Sequence, residues 1–178
     1  MKTKIVYGPT HDAWQGFIPF LSNLIDVHHI KKVCDVGGGA NPALSSGYIS
    51  ENSLDYTLLD ISENELNKAP ENYNKILADI ASPDFTPGNK FDLVFVDGPK
   101  EQLKGGMGRD AAIKIASQVS DNIIIHDAGR CEEELFQRKY LRSVFKLVRK
   151  SGNHITRCHY WVRRPKPVTL EDILKGNK

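Results

Sequence analysis

The chain has 178 residues, 40% of them hydrophobic and 26% charged, with a mean hydropathy of -0.39. That composition excludes a disordered chain or a fibre and suits one soluble unit, long enough to bury roughly 70% of its unfolded surface. The net charge of +2 is polarised: residues 1–129 carry a net of -6 and residues 130–178 a net of +8. The basic third can attract an anionic partner, though solvation of a helix and a hairpin is the favoured reading. No apolar run approaches the roughly 20 residues of a membrane span, and the first residues lack a signal-peptide core. Cys34, Cys131 and Cys158 are odd in number and form no CxxC pair. Neither a disulfide framework nor a structural zinc is expected, and a reducing, cytoplasmic setting is.

In chain order, a helical stretch over 11–27 repeats Trp14, Phe17, Ile18, Leu21, Leu24 and Ile25 at helical spacing, with Thr10 as its cap. Short β-branched runs at Lys32–Val36, Tyr56–Leu59, Lys75–Leu77, Phe91–Val96 and Asn122–Ile125 read as strands. Between them, 42–50, 62–69, 109–120 and 131–141 read as helices, with Ser62 and Glu65 forming a capping box. Alternation of this kind predicts an α/β, doubly wound, mostly parallel sheet with right-handed crossovers. Ser143–Arg149 and His154–Arg163 flank Lys150-Ser151-Gly152-Asn153 and predict a terminal antiparallel hairpin. A short helix over Thr169–Lys175 follows. The organisation expected is one domain over 1–178: an N-terminal helix region (1–30), a core (31–163) and a tail (164–178).

Asp35-Val36-Gly37-Gly38-Gly39 carries a strand into three glycines and then a helix. Glycines let backbone turn tightly and approach a ligand, and the carboxyl end of a parallel strand is where doubly wound folds bind nucleotides. Pro42 occupies the third glycine position of the dinucleotide fingerprint, which weakens an NAD reading. Asp60 ends the second strand, where a carboxylate can bind both ribose hydroxyls. Asp79 ends the third at the level of an adenine ring, with Ile61 and Ile80 beside the two acids. Asp97 ends the fourth strand.

These segments resemble the class I S-adenosylmethionine-dependent methyltransferases, over roughly residues 10–163. Asp35-Val36-Gly37-Gly38-Gly39 is similar to the family's DxGxG loop, Asp60 to its ribose-binding acid, and Asp79-Ile80 to its adenine-side motif. Phe91–Asp97 is similar to the motif beside the transferable methyl group. The resemblance implies a Rossmann-like seven-stranded sheet whose last strand is antiparallel, and S-adenosylmethionine as cofactor. Expected cofactor contacts are Asp35, Gly37, Gly38, Gly39, Asp60, Ile61, Asp79, Ile80 and Asp97.

The segment Lys100–Gly108 is glycine-rich and leaves the fourth strand where an acceptor would lie, so it is a candidate lid. The fifth strand runs into His126, Asp127 and Arg130. His126 can accept a proton near neutral pH, and Asp97 with Asp127 can share a divalent ion. Expected catalytic residues are Asp97, His126 and Asp127, with a metal at Asp97 and Asp127 as one of two mechanisms. Arg109 and Arg130 are expected to orient an anionic or sugar acceptor. Asp97-Gly98-Pro99, Gly108-Arg109 and His126-Asp127-x-x-Arg130 together resemble, distantly, the plant glucuronoxylan 4-O-methyltransferases and their xylan-biosynthesis relatives. Methyl transfer to an oxygen of a small molecule or saccharide is therefore the leading expectation. A nucleic-acid methyltransferase and a non-catalytic cofactor-binding subunit are the alternatives, and the small size leaves room for a homodimer.

Overall fold

The computed structural model describes residues 18–82, 84–86, 88, 90–98, 108–151 and 158–165. In chain order these form α1 (Ile18–His28), β1 (Lys32–Val36), α2 (Ser46–Glu51), β2 (Asp55–Asp60), α3 (Glu63–Lys68) and β3 (Asn74–Leu77). There follow β4 (Leu93–Val96), α4 (Gly108–Val119), β5 (Asn122–Ile125), α5 (Cys131–Tyr140), β6 (Phe145–Ser151) and β7 (Cys158–Arg163). The strands make one seven-stranded sheet in the order β3-β2-β1-β4-β5-β7-β6. β1 to β5 run parallel, and β7 is antiparallel to both β5 and β6. This is the Rossmann-like, mostly parallel sheet with a terminal antiparallel hairpin that the sequence predicts.

β-branched, near-continuous apolar strands form such a sheet because both of its faces are covered. On β4, Leu93 and Phe95 point to one face and join Leu21, Leu24, Leu58 and Tyr160. Val94 and Val96 point to the other and join Ile113, Ile123, Leu141 and Trp161. Cys34 is a buried part of that second layer. Among the described residues, no helix is long and apolar enough to cross a membrane.

Several boundaries differ from the sequence reading. α2 begins at Ser46 rather than 42, because Ala43 N–H is taken by the Asp35 carboxylate and Ser45 caps the helix through Tyr48 N–H. β4 starts at Leu93, and Phe91 makes only an isolated bridge to Ser120. β6 runs two residues later than expected and carries a register shift between Leu147 and Arg149. The Ser62 hydroxyl accepts from Glu65 N–H, but the return half of the capping box is missing: Ser62 N–H donates to Asp60 Oδ1 instead. Residues 10–17, most of the candidate lid, the hairpin turn from Gly152 and the helix over 169–175 lie outside the described residues.

Candidate active site

The strand order makes the carboxyl ends of β2, β1, β4 and β5 consecutive, so the loops that follow them meet at one edge. At β1, Gly37 and Gly39 adopt positive φ of 77° and 50°. A Cβ on Gly37 would lie 2.3 Å from the Cα of Gly98, so the β1 and β4 loops touch backbone to backbone. A Cβ on Gly38 would strike the Asp35 carboxylate at 2.4 Å. One on Gly39 would lie 3.2 Å from Asp60 Oδ2. Only glycine satisfies the first two positions, and Gly39 leaves the approach to Asp60 open.

Asp35 is 0% exposed, and its Oδ2 accepts from Ala43 N–H at 2.8 Å and the Tyr56 hydroxyl at 2.7 Å. Its Oδ1 has no partner among the described residues. Burial, then the nearby Asp97 charge, pushes its pKa up to about 7 against the pull of the two donors. Asp60 is held by Ser62 N–H, with its Oδ2 toward Gly39. Ile61 and Leu77, each 55% exposed, give apolar surface beside it, since Leu77 is the register partner of Asp60. Asp79 is exposed and folds onto Ala81 N–H, whereas Ile80 is buried. A glycine cradle, a held carboxylate and flanking apolar surface thus lie together at this edge.

One strand over, Asp97, His126 and Asp127 converge. His126 N–H bonds to Val96 O at 2.9 Å, which continues the β4–β5 ladder and brings the side chains together. His126 Nδ1 lies 2.7 Å from Asp97 Oδ1 and 3.7 Å from Asp127 Oδ2. Asp127 takes a left-handed φ of 54°, a strained conformation.

Arg109, expected to orient an acceptor, is turned inward. It is 1% exposed, and its guanidinium is spent on Glu133 Oε1 at 3.0 Å and on the main-chain carbonyls of Asp97 and His126. Arg130 is 35% exposed and lies 2.8 Å from Asp127 Oδ2, so it retains surface at the site. The metal expected at Asp97 and Asp127 does not fit either. Asp127 Oδ2 faces two guanidinium groups, Arg130 and, at 3.9 Å, Arg109, while Asp97 faces His126. Among the described residues no group of three or more His, Cys, Asp or Glu side chains is placed to hold an ion. Asp127 does face positive charge, and arginine supplies it.

The sequence reading missed Glu133, Gln137 and Tyr56. Glu133 and Gln137 are buried one helical turn apart on α5, and Gln137 Oε1 accepts from Trp161 Nε1 and faces His159 Nδ1. Glu133 sits in a run of three glutamates at a helix start, where complementing the helix dipole is explanation enough. The only signal was the i, i+4 pairing with Gln137 on a face that otherwise packs apolar side chains.

No family model matches the chain, and no curated protein matches its sequence. Solved structures do match. A TehB-like S-adenosylmethionine-dependent methyltransferase from Corynebacterium glutamicum is 16% identical, with a TM-score of 0.59 over 81% of this chain and 86% of that one. The N-methyltransferase NodS of Bradyrhizobium japonicum, solved with S-adenosyl-L-homocysteine, is 12% identical, with a TM-score of 0.59 over 84% and 85%. An rRNA methylase from Escherichia coli is 14% identical, with a TM-score of 0.55 over 84% and 66%. At such identities the likeness is one of architecture, and the chain has the Rossmann-like fold of these S-adenosylmethionine-dependent methyltransferases.

Proposed function

We propose that the chain transfers the methyl group of S-adenosylmethionine to an oxygen of its acceptor. The observation that carries this reading is the adjacency of two features: the Gly37–Gly39 cradle facing Asp60, and the His126–Asp97 pair one strand away. The cofactor, when bound, supplies an electrophilic methyl on a sulfonium. Gly37, Gly38 and Gly39 would admit it to the backbone, Asp60 would accept from the ribose hydroxyls, and Ile61 would cover the base. The chain's own chemical task is to align a hydroxyl and remove its proton. Asp97 Oδ1 lies 2.7 Å from Nδ1 of His126; an Nδ1–H turned onto that carboxylate would leave Nε2 as the basic nitrogen. Asp127, charge-paired with Arg130, lies 3.7 Å from that same Nδ1.

The order of Asp97-Gly98-Pro99, Gly108-Arg109 and His126-Asp127-x-x-Arg130 supports a sugar hydroxyl as acceptor, with Arg130 facing it. A nucleic-acid acceptor stands second, on the net +8 of residues 130–178. Incubation with methyl-labelled cofactor and fractionated cell extract, followed by identification of the labelled product, tests the reading. An O-methylated saccharide or small molecule is expected. A nitrogen-labelled product, or binding of NAD in preference to S-adenosylmethionine, overturns it. Labelled RNA with salt-dependent binding moves the choice to the second reading, and cofactor binding without any labelled product points to a non-catalytic subunit.

A further inference from the structure

A fully charged side chain at 1% exposure requires a reason. Glu133, 0% exposed, neutralises Arg109 at 3.0 Å, and a purely structural ion pair would need nothing more. The same guanidinium also donates to the main-chain carbonyls of Asp97, through Nη2, and of His126, through Nη1 at 3.2 Å. These are the first residues beyond β4 and β5. The ladder between the two strands closes with Val96 opposite Ile125 and the bond from His126 N–H to Val96 O. Carbonyls past the end of a ladder need donors from elsewhere when buried. A planar guanidinium fork can serve two at once, and an ammonium cannot hold both in one fixed geometry. The two residues bridged through their carbonyls are those whose side chains meet at 2.7 Å.

We propose that Arg109, with Glu133 as its buried counter-charge, is the positioning residue that sets the Asp97–His126 pair. Its catalytic meaning rests on the methyl-transfer reading, but the bridge across the strand ends does not. Two variants separate positioning from mere stability. Arg109→Lys keeps a cation for Glu133 and gives up the fork. The double variant Arg109→Met with Glu133→Met removes both charges together, which leaves no buried charge unpaired and is often tolerated by a fold.

Imidazole nitrogen-15 spectra of the full chain, with His126 assigned by His126→Gln, read the pair directly. Wild type should show His126 Nδ1 shifted by the Asp97 carboxylate 2.7 Å away. Both variants should lose that signature while still unfolding cooperatively, at a lower temperature because two carbonyls lose their donor. His159, whose Nδ1 lies 2.7 Å from Gln137 Oε1, provides an internal control and should stay unchanged. Once an acceptor is in hand, turnover should fall about 100-fold with the cofactor KM unchanged, the scale of an ångström-level misplacement. An unaltered His126 signature in folded Arg109→Lys overturns the proposal and leaves the pair as structural only. If the double variant unfolds, Arg109→Lys decides alone. Calorimetry with S-adenosylhomocysteine is run alongside: a wild type that does not bind it sinks the methyl-transfer reading, and the spectra still judge the bridge.

Discussion

Two buried acids at one sheet edge solve the same problem in opposite ways. Asp35, under the glycine turn of β1, has a hydroxyl and one N–H for partners and, among the described residues, no cation. Burial therefore pushes its pKa up to about 7, so a proton can answer its charge. Asp127, after β5, has Arg130 at 2.8 Å and Arg109 at 3.9 Å, so fixed positive charge answers it. A buried acid with no cation beneath a cradle costs stability once ionised, and a positively charged ligand would favour its ionised form. The arginine-bound acid holds its geometry whatever is bound. The β1 end is thus suited to binding, and the β4–β5 end to alignment.

The largest effect should come from removing the acid without a cation. Asp35 rises from the ordinary 3.8 to about 7. The folded chain thus holds the proton more tightly than the unfolded chain between those values. Stability should fall as pH rises from about 4 to 7 and level off above. The full span is on the order of 4 kcal/mol at 1.36 kcal/mol per pKa unit. Asp35→Asn keeps the shape and cannot ionise, so its denaturant midpoints should lose that slope; an undiminished slope would place the titration elsewhere. Next comes Gly37→Ala. It forces a Cβ into Gly98 at positive φ and should destabilise by about 3 kcal/mol, the upper end for a strained backbone site. Cofactor binding should be lost with it, as calorimetry on the folded fraction would show. Asp60→Ala, on the surface of the same region, should leave stability nearly unchanged and weaken S-adenosylmethionine by about 1.5–3 kcal/mol, the scale of hydrogen bonds to a charged group. Wild-type affinity in that variant would refute the ribose assignment.

The same contrast explains what the sequence made legible. β1 and β5 are read to the residue, because apolar β-branched runs ending at Gly37 or His126 have one good solution. The meeting of Asp97, His126 and Asp127 follows from strand order alone. Burial does not follow from residue type, however. Arg109 reads as a surface cation reaching for a ligand, since nothing in its neighbours announces a carboxylate 24 positions away, and Glu133 hides among like residues. The metal expectation failed in a related way. Asp127 does demand positive charge, but the chain meets it with Arg130 three residues on and with Arg109, which only the tertiary structure brings close. α2 begins late because a long-range bond from Ala43 to Asp35 outbids local helix propensity.

The smallest predicted effects compare how the two regions start their helices. α3 follows β2 and is capped: the Ser62 hydroxyl accepts from Glu65 N–H at 3.3 Å. α5 follows β5 with Arg130 at its cap position and no side-chain bond to the helix. Ser62→Ala should therefore cost about 1 kcal/mol, the usual value of a lost N-cap. Cofactor affinity should hardly change, because Asp60 is held by the Ser62 main chain, which the substitution keeps. Arg130→Ala has no cap to lose. It gives up a partly exposed ion pair worth about 0–1 kcal/mol, and Asp127 still has Arg109 nearby. Its consequence should appear in acceptor KM and not in the unfolding midpoint. Thermal melts and cofactor titrations of the two variants, run together, check the contrast. A stability loss in Arg130→Ala that exceeds the loss in Ser62→Ala would mean that the β5 end is held by Arg130 and not by the buried guanidinium of Arg109.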